Sequence, residues 1–172
     1  VELPRVRNPR VDLLGRREDG SLVHIEIESS PVADTGERVA DYHIGLFRLL
    51  RVVVVPIVLY VGREPLYLPP VFETGWLRFQ YQLLDVRDFP GEAMLASDDL
   101  GDNMLALLTR ANRDRVIDRV LRRISELGGE ARRTAIEAFV LISGLRDLEE
   151  GVTERIKEFM PIIDIMENKV FG

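Results

Sequence analysis

The stretch Val52 to Val61 is almost continuously apolar and β-branched, and Gly62 ends it. It is far shorter than the roughly 20 residues of a membrane span and lacks a helical period. Such a run is the signature of a strand buried on both faces in a helix-covered sheet, which places the chain in the α/β class. Immediately before it, Val39, Tyr42, His43, Leu46, Phe47, Leu49 and Leu50 recur at helical spacing, predicting a helix from about Glu37 to Leu50.

Further upstream, Val6 to Leu14 reads as a strand, Asp19-Gly20 as a hairpin turn, and Leu22 to Ser29 as the returning strand. The second arm alternates strictly. Val23, Ile25 and Ile27 are expected to face the core, with His24, Glu26 and Glu28 on the opposite, chemical face. Downstream, Pro65, Pro69 and Pro70 interrupt the pattern, and Leu77, Phe79, Tyr81 and Leu83 then alternate with Arg78, Gln80 and Gln82 as one half-exposed strand ending near Asp88. The predicted order is strand, strand, helix, strand, strand.

Pro90-Gly91 marks the boundary, and from Asp98 onward the period becomes helical, through Leu105 to Leu108, then Val116, Val120, Ile124 and Leu127, then Ile136, Phe139, Val140 and Leu145, then Val152, Ile156, Phe159 and Ile163. Three or four helices are expected. Residues 1–92 are therefore read as a sheet-based core and residues 93–172 as a C-terminal helical region. The chain opens on Val1 with a strand-like pattern almost at once, consistent with a segment lying upstream of it.

At 172 residues and 46% hydrophobic, the chain can bury a core of ordinary size. The absence of Cys excludes disulfides and thiolate metal sites, leaving oxygen and imidazole ligands, which favour hard cations. No membrane span or charged-then-apolar leader is legible, so the expected setting is soluble and cytoplasmic.

A hairpin carrying Asp12 on one arm and Glu26 and Glu28 on the other gathers three carboxylates near one end of a sheet. Such clusters are unfavourable without a compensating cation, and carboxylates with waters and a substrate phosphate suit octahedral Mg²⁺ or Mn²⁺. Alternating polar residues also mark any half-exposed strand, so Glu26 and Glu28 alone have a plain reading as a solvated face.

The run Arg10-Val-Asp12-Leu-Leu, the strand His24-Ile-Glu26-Ile-Glu28-Ser, a helix with Arg38 and Tyr42, and Val55-Pro-Ile-Val-Leu-Tyr-Val-Gly62 resemble the recombination-promoting nuclease/transposase family of the PD-(D/E)xK superfamily. The likeness extends through Phe79 to Asp88, Pro90-Gly-Glu, Leu105 to Thr109 and Ser143-Gly-Leu-Arg146. It implies a PD-(D/E)xK restriction-endonuclease-like mixed sheet flanked by helices. It also implies a divalent-metal-dependent endodeoxyribonuclease linked to transposition or recombination, with Asp12, Glu26 and the backbone carbonyl of Ile27 as ligands of Mg²⁺ or Mn²⁺. The residue two after the glutamate is usually Lys or Gln in that family; here it is Glu28. A carboxylate cannot steady negative charge as a lysine does, so Glu28 is a general base, a second-metal ligand, or the mark of a fold that has lost its chemistry.

Secondary candidates are His24 on the same strand face, and Arg38 and Tyr42 one helical turn apart, able to reach the carboxylates or a phosphate. Between Arg110 and Arg133 eight arginines stand against four acids, making Arg110, Arg113, Arg119, Arg122 and Arg123 candidates for DNA contact. A solvated helix face with i,i+4 pairs such as Asp118 and Arg122 accounts for the same pattern, and the net charge of -6 weighs against a polyanion partner. The competing class is a degenerate nuclease fold that binds nucleic acid or protein, or self-associates through its C-terminal helices. Paired-carboxylate glycoside hydrolysis ranks last, because Trp76 is the only tryptophan available to stack a sugar.

Overall fold

The computed structural model describes residues 11–159. The chain divides into two compact units, Val1–Val86 and Arg87–Gly172.

The first unit is mixed α/β. Its hairpin strands are β1 (Leu13–Arg16) and β2 (Leu22–Glu28), followed by helix α1 (Thr35–Leu50) and strand β3 (Val54–Tyr60). Strands β4 (Val71–Thr74), β5 (Leu77–Gln80) and β6 (Gln82–Asp85) complete it. The main sheet has the order β1-β2-β3-β6; β1 and β2 are antiparallel, whereas β2, β3 and β6 run parallel. Gly20 turns the hairpin with φ +83°, a conformation that glycine adopts without steric cost. The part of the expected first strand that precedes Val11 lies outside the described residues.

Three features depart from the sequence reading. The alternating run from Leu77 onward is two strands, because it breaks at Tyr81, whose amide donates to the Pro70 carbonyl at 3.2 Å. The first part pairs with β4 in a separate hairpin, and the second joins β3 in the main sheet. The apolar strand β3 is fully buried only at Val54, Val58 and Tyr60, whereas Val55, Ile57 and Leu59 on its other face are half-buried. Pro56 is tolerated inside it because β6 pairs only from Ile57 onward, leaving that edge open at the proline.

The third departure concerns β2. Leu22, His24, Glu26 and Glu28 are buried and Ile27 is exposed, so the polar face, not the apolar one, is packed inward. Helix α1 lies over it through positions 35, 38, 39 and 42, with Val39 meeting Val58 and Tyr81 in the small apolar core of this unit. The close packing begins at Gly36, where a Cβ would come within 2.9 Å of the Phe72 Cβ on β4. At the tip of the β4–β5 hairpin Gly75 has φ +52° and Trp76 projects fully into solvent.

The second unit is helical: α2 (Gly91–Ala96), α3 (Leu100–Leu105), α4 (Arg113–Ser125), α5 (Gly129–Gly144) and α6 (Glu149–Phe159). Its core is the larger, built from Met104, Leu107, Val116, Val120, Leu121, Ile124, Phe139 and Val152. Helix α4 is capped by Asn112, whose Oδ1 accepts from the Arg115 amide at 3.0 Å, and α3 by Asp99. None of the helices among the described residues is long and apolar enough to cross a membrane.

Candidate functional site

Strand β2 places His24, Glu26 and Glu28 on one face because side chains alternate with a period of two. His24 is wholly buried, and Glu26 and Glu28 are 5% and 7% exposed. Carboxylates this deep require partners, since an unpaired buried charge is costly. Each has one. Glu26 Oε1 lies 2.7 Å from His24 Nε2, within hydrogen-bond distance. The Tyr42 ring meets the His24 imidazole edge-on, with centroids 5.9 Å apart, and holds its orientation.

Glu28 Oε1 accepts from the Arg38 guanidinium and, at 3.4 Å, from Thr35 Oγ1. Arg38 also reaches Asp34 Oδ1 at 3.4 Å, so the guanidinium spans two acids while remaining partly accessible. Helix α1 thus brings a permanent positive charge beside Glu28.

Asp12 stands one residue before β1, just past the last ladder pair, Leu13 with Ile25. Its side chain takes over where the ladder stops: Oδ2 accepts from the Ile27 amide at 2.9 Å. The amide and carbonyl of a strand residue address the same edge, so the Ile27 carbonyl faces the Asp12 side. Continuing the antiparallel register sets Asp12 opposite Glu26. Asp12 is exposed and Glu26 buried, so the pair straddles the surface of the sheet.

Among the described residues no group of three or more His, Asp or Glu side chains is arranged to hold a metal ion. Mg²⁺ is ordinarily held by one or two carboxylates, with water and phosphate oxygens filling the other positions. Asp12, Glu26 and the Ile27 carbonyl form an all-oxygen donor set that fits that requirement. The His24 contact occupies one Glu26 oxygen and leaves the other.

Comparison with known proteins returned no matching family model, curated protein or solved structure.

Sequence reasoning gave Thr35, Asp34 and His43 no role at the site. His43 lies one residue after Tyr42, with its ring 5.1 Å from that of Phe79 and its Nδ1 buried without a partner. Burial, helped by the nearby His24, pushes its pKa below the usual histidine value. Only the structure brings these groups together, since a helical period says which residues share a face but not which strand they meet.

The arginines of the second unit are largely engaged within it. Arg110 pairs with Asp88 at 2.9 Å and Arg115 with Glu92 at 3.0 Å. Arg123 bonds Asn103 Oδ1 at 2.8 Å and the carbonyls of Ser97 and Asp98, tying α4 to the turn before α3. Asp118 is taken by Arg155 of α6 rather than by Arg122. Arg113, Arg119 and Arg122 have no acidic partner among the described residues.

Proposed function

We propose that the sheet unit is the core of a divalent-metal-dependent endodeoxyribonuclease of the PD-(D/E)xK type. The observation that carries this reading is the docking of the Asp12 carboxylate on the Ile27 amide, one residue along β2 from the buried Glu26, at the end of a hairpin. Asp12, Glu26 and the Ile27 carbonyl would hold Mg²⁺ or Mn²⁺. When bound, the metal supplies Lewis-acid stabilisation of the charge on the scissile phosphate.

The chain's own residues do the rest. His24 fixes one oxygen of Glu26 and so aims the other. Arg38 offsets the charge of Glu28 and, through its remaining N–H groups, offers donors to phosphate oxygens where a single lysine otherwise serves. Glu28 is thereby a positioning residue for Arg38.

A second reading is favoured by one feature: Glu26 and Glu28 are both already met by protein donors, as in a fold that has kept its shape and lost its metal. A nicking assay on plasmid DNA with Mg²⁺ or Mn²⁺ separates the two. The expected result is cleavage that falls at least about 100-fold in Asp12→Ala and Glu26→Ala, the scale of losing a group that stabilises the transition state. Cleavage indifferent to both substitutions overturns the nuclease assignment. Absence of cleavage together with no calorimetric Mn²⁺ binding establishes the non-catalytic module.

A further inference from the structure

The helical unit contains a cavity of about 540 Å³. Leu95 and Ala96 of α2 supply its apolar side, and Arg115, Asp118, Arg119 and Arg122 line it from one face of α4, with Glu92 at the margin. The four α4 residues fall at helical spacing beside the buried stripe of Val116, Val120 and Ile124, so packing of that stripe presents them together.

Charge within the cavity is unevenly satisfied. Glu92 neutralises Arg115, and Asp118 is held by Arg155. Arg119 and Arg122, one turn apart, have no acidic partner among the described residues, and Arg119 Nε is buried with no acceptor at all. Two adjacent guanidiniums without acidic partners can donate through their terminal N–H groups to a tetrahedral oxyanion. The volume lies within the roughly 300–1,000 Å³ of small-molecule sites and far exceeds that of a lone phosphate. Glu92 and Asp118 disfavour an extended polyanion in the same space and can accept from hydroxyl groups.

We propose that this cavity binds a small phosphate monoester of nucleotide size, with the phosphate on Arg119 and Arg122 and the organic body against Leu95 and Ala96. The site shares no residue with the acidic cluster on the sheet unit.

Calorimetric titration of the full chain with adenosine 5′-monophosphate, adenosine, inorganic phosphate and a single-stranded oligonucleotide tests it. The monophosphate is expected to bind more tightly than inorganic phosphate, and adenosine not to saturate. Arg119→Gln and Arg122→Gln should each weaken the monophosphate tenfold or more, whereas Arg133→Gln, which removes an exposed partner of Glu130, should leave it unchanged. Arg122 is exposed, so its variant keeps the test valid should Arg119→Gln fail to fold. No binding of the monophosphate, binding unaffected by either variant, equal affinity for inorganic phosphate, or tighter arginine-dependent binding of the oligonucleotide would each overturn the proposal.

Discussion

Glu28 is the residue whose meaning changes most once its surroundings are known. From sequence it is a negative charge in a lysine's place. In the folded chain it is half of an ion pair with Arg38, and the pair carries no net charge at that position. The alternation His24, Glu26, Glu28 was legible, and so was the grouping of the three on one face. What could not be read was that this face is the buried one: alternation assigns two faces but does not say which a helix will cover, and apolar residues are the default inward set. The inversion succeeds because His24, Arg38 and Thr35 supply partners from a neighbouring strand position and from α1. His43 adds a pH dependence. Its folded pKa lies below 6.5, so between the folded value and 6.5 the unfolded chain binds more protons. Stability of the sheet unit is therefore complete above 6.5 and declines as pH falls through the folded value. Urea denaturation at a series of pH values should show this slope, and His43→Phe, which keeps a ring against Phe79, should flatten it.

At the scale of elements, the long regular ones were legible. Helix α1 was expected from about Glu37 and begins at Thr35; strand β2 was expected over Leu22 to Ser29 and spans Leu22–Glu28. Misread were the short ones. The Leu77 to Asp85 run keeps its alternation across the break at Tyr81, so periodicity carries no trace of the change of sheet. Helices α2 and α3 are six residues each, too short to establish a period. Their placement depends on tertiary contact, and Gly91 at the start of α2 shows how tight that contact is. A Cβ there would overlap Thr109 Oγ1 and come within 3.0 Å of the Ala111 Cβ. Gly91→Ala is expected to destabilise the helical unit by about 1–3 kcal/mol through overpacking, measured as a lower denaturation midpoint. Stability equal to the parent chain would show that the loop at Thr109 yields freely.

The molecule as a whole carries two cores of unequal size, one within each unit. The general class was legible, with a mixed sheet and a helical part in the expected order along the chain. The division falls between Val86 and Arg87, whereas the sequence reading set it after residue 92. The larger core centres on Phe139, wholly buried on α5. Phe139→Ala should cost about 3–5 kcal/mol, most of the stability of a small domain. Thermal melting followed by far-ultraviolet circular dichroism should then lose helical signal at a lower temperature, while the proposed Asp12-dependent binding of Mn²⁺ persists above that transition. Simultaneous loss of both would mean that the units unfold as one.

Trp76 bears on how any of these melts can be watched. It is the only tryptophan in the chain and stands fully exposed at the hairpin tip. Its indole is surrounded by water before unfolding as well as after, so its emission wavelength should hardly move as either core dissolves. The same exposure makes it a sensitive beacon for anything that settles on the hairpin: a blue shift on adding a ligand would report contact at that tip, and nowhere else in the protein.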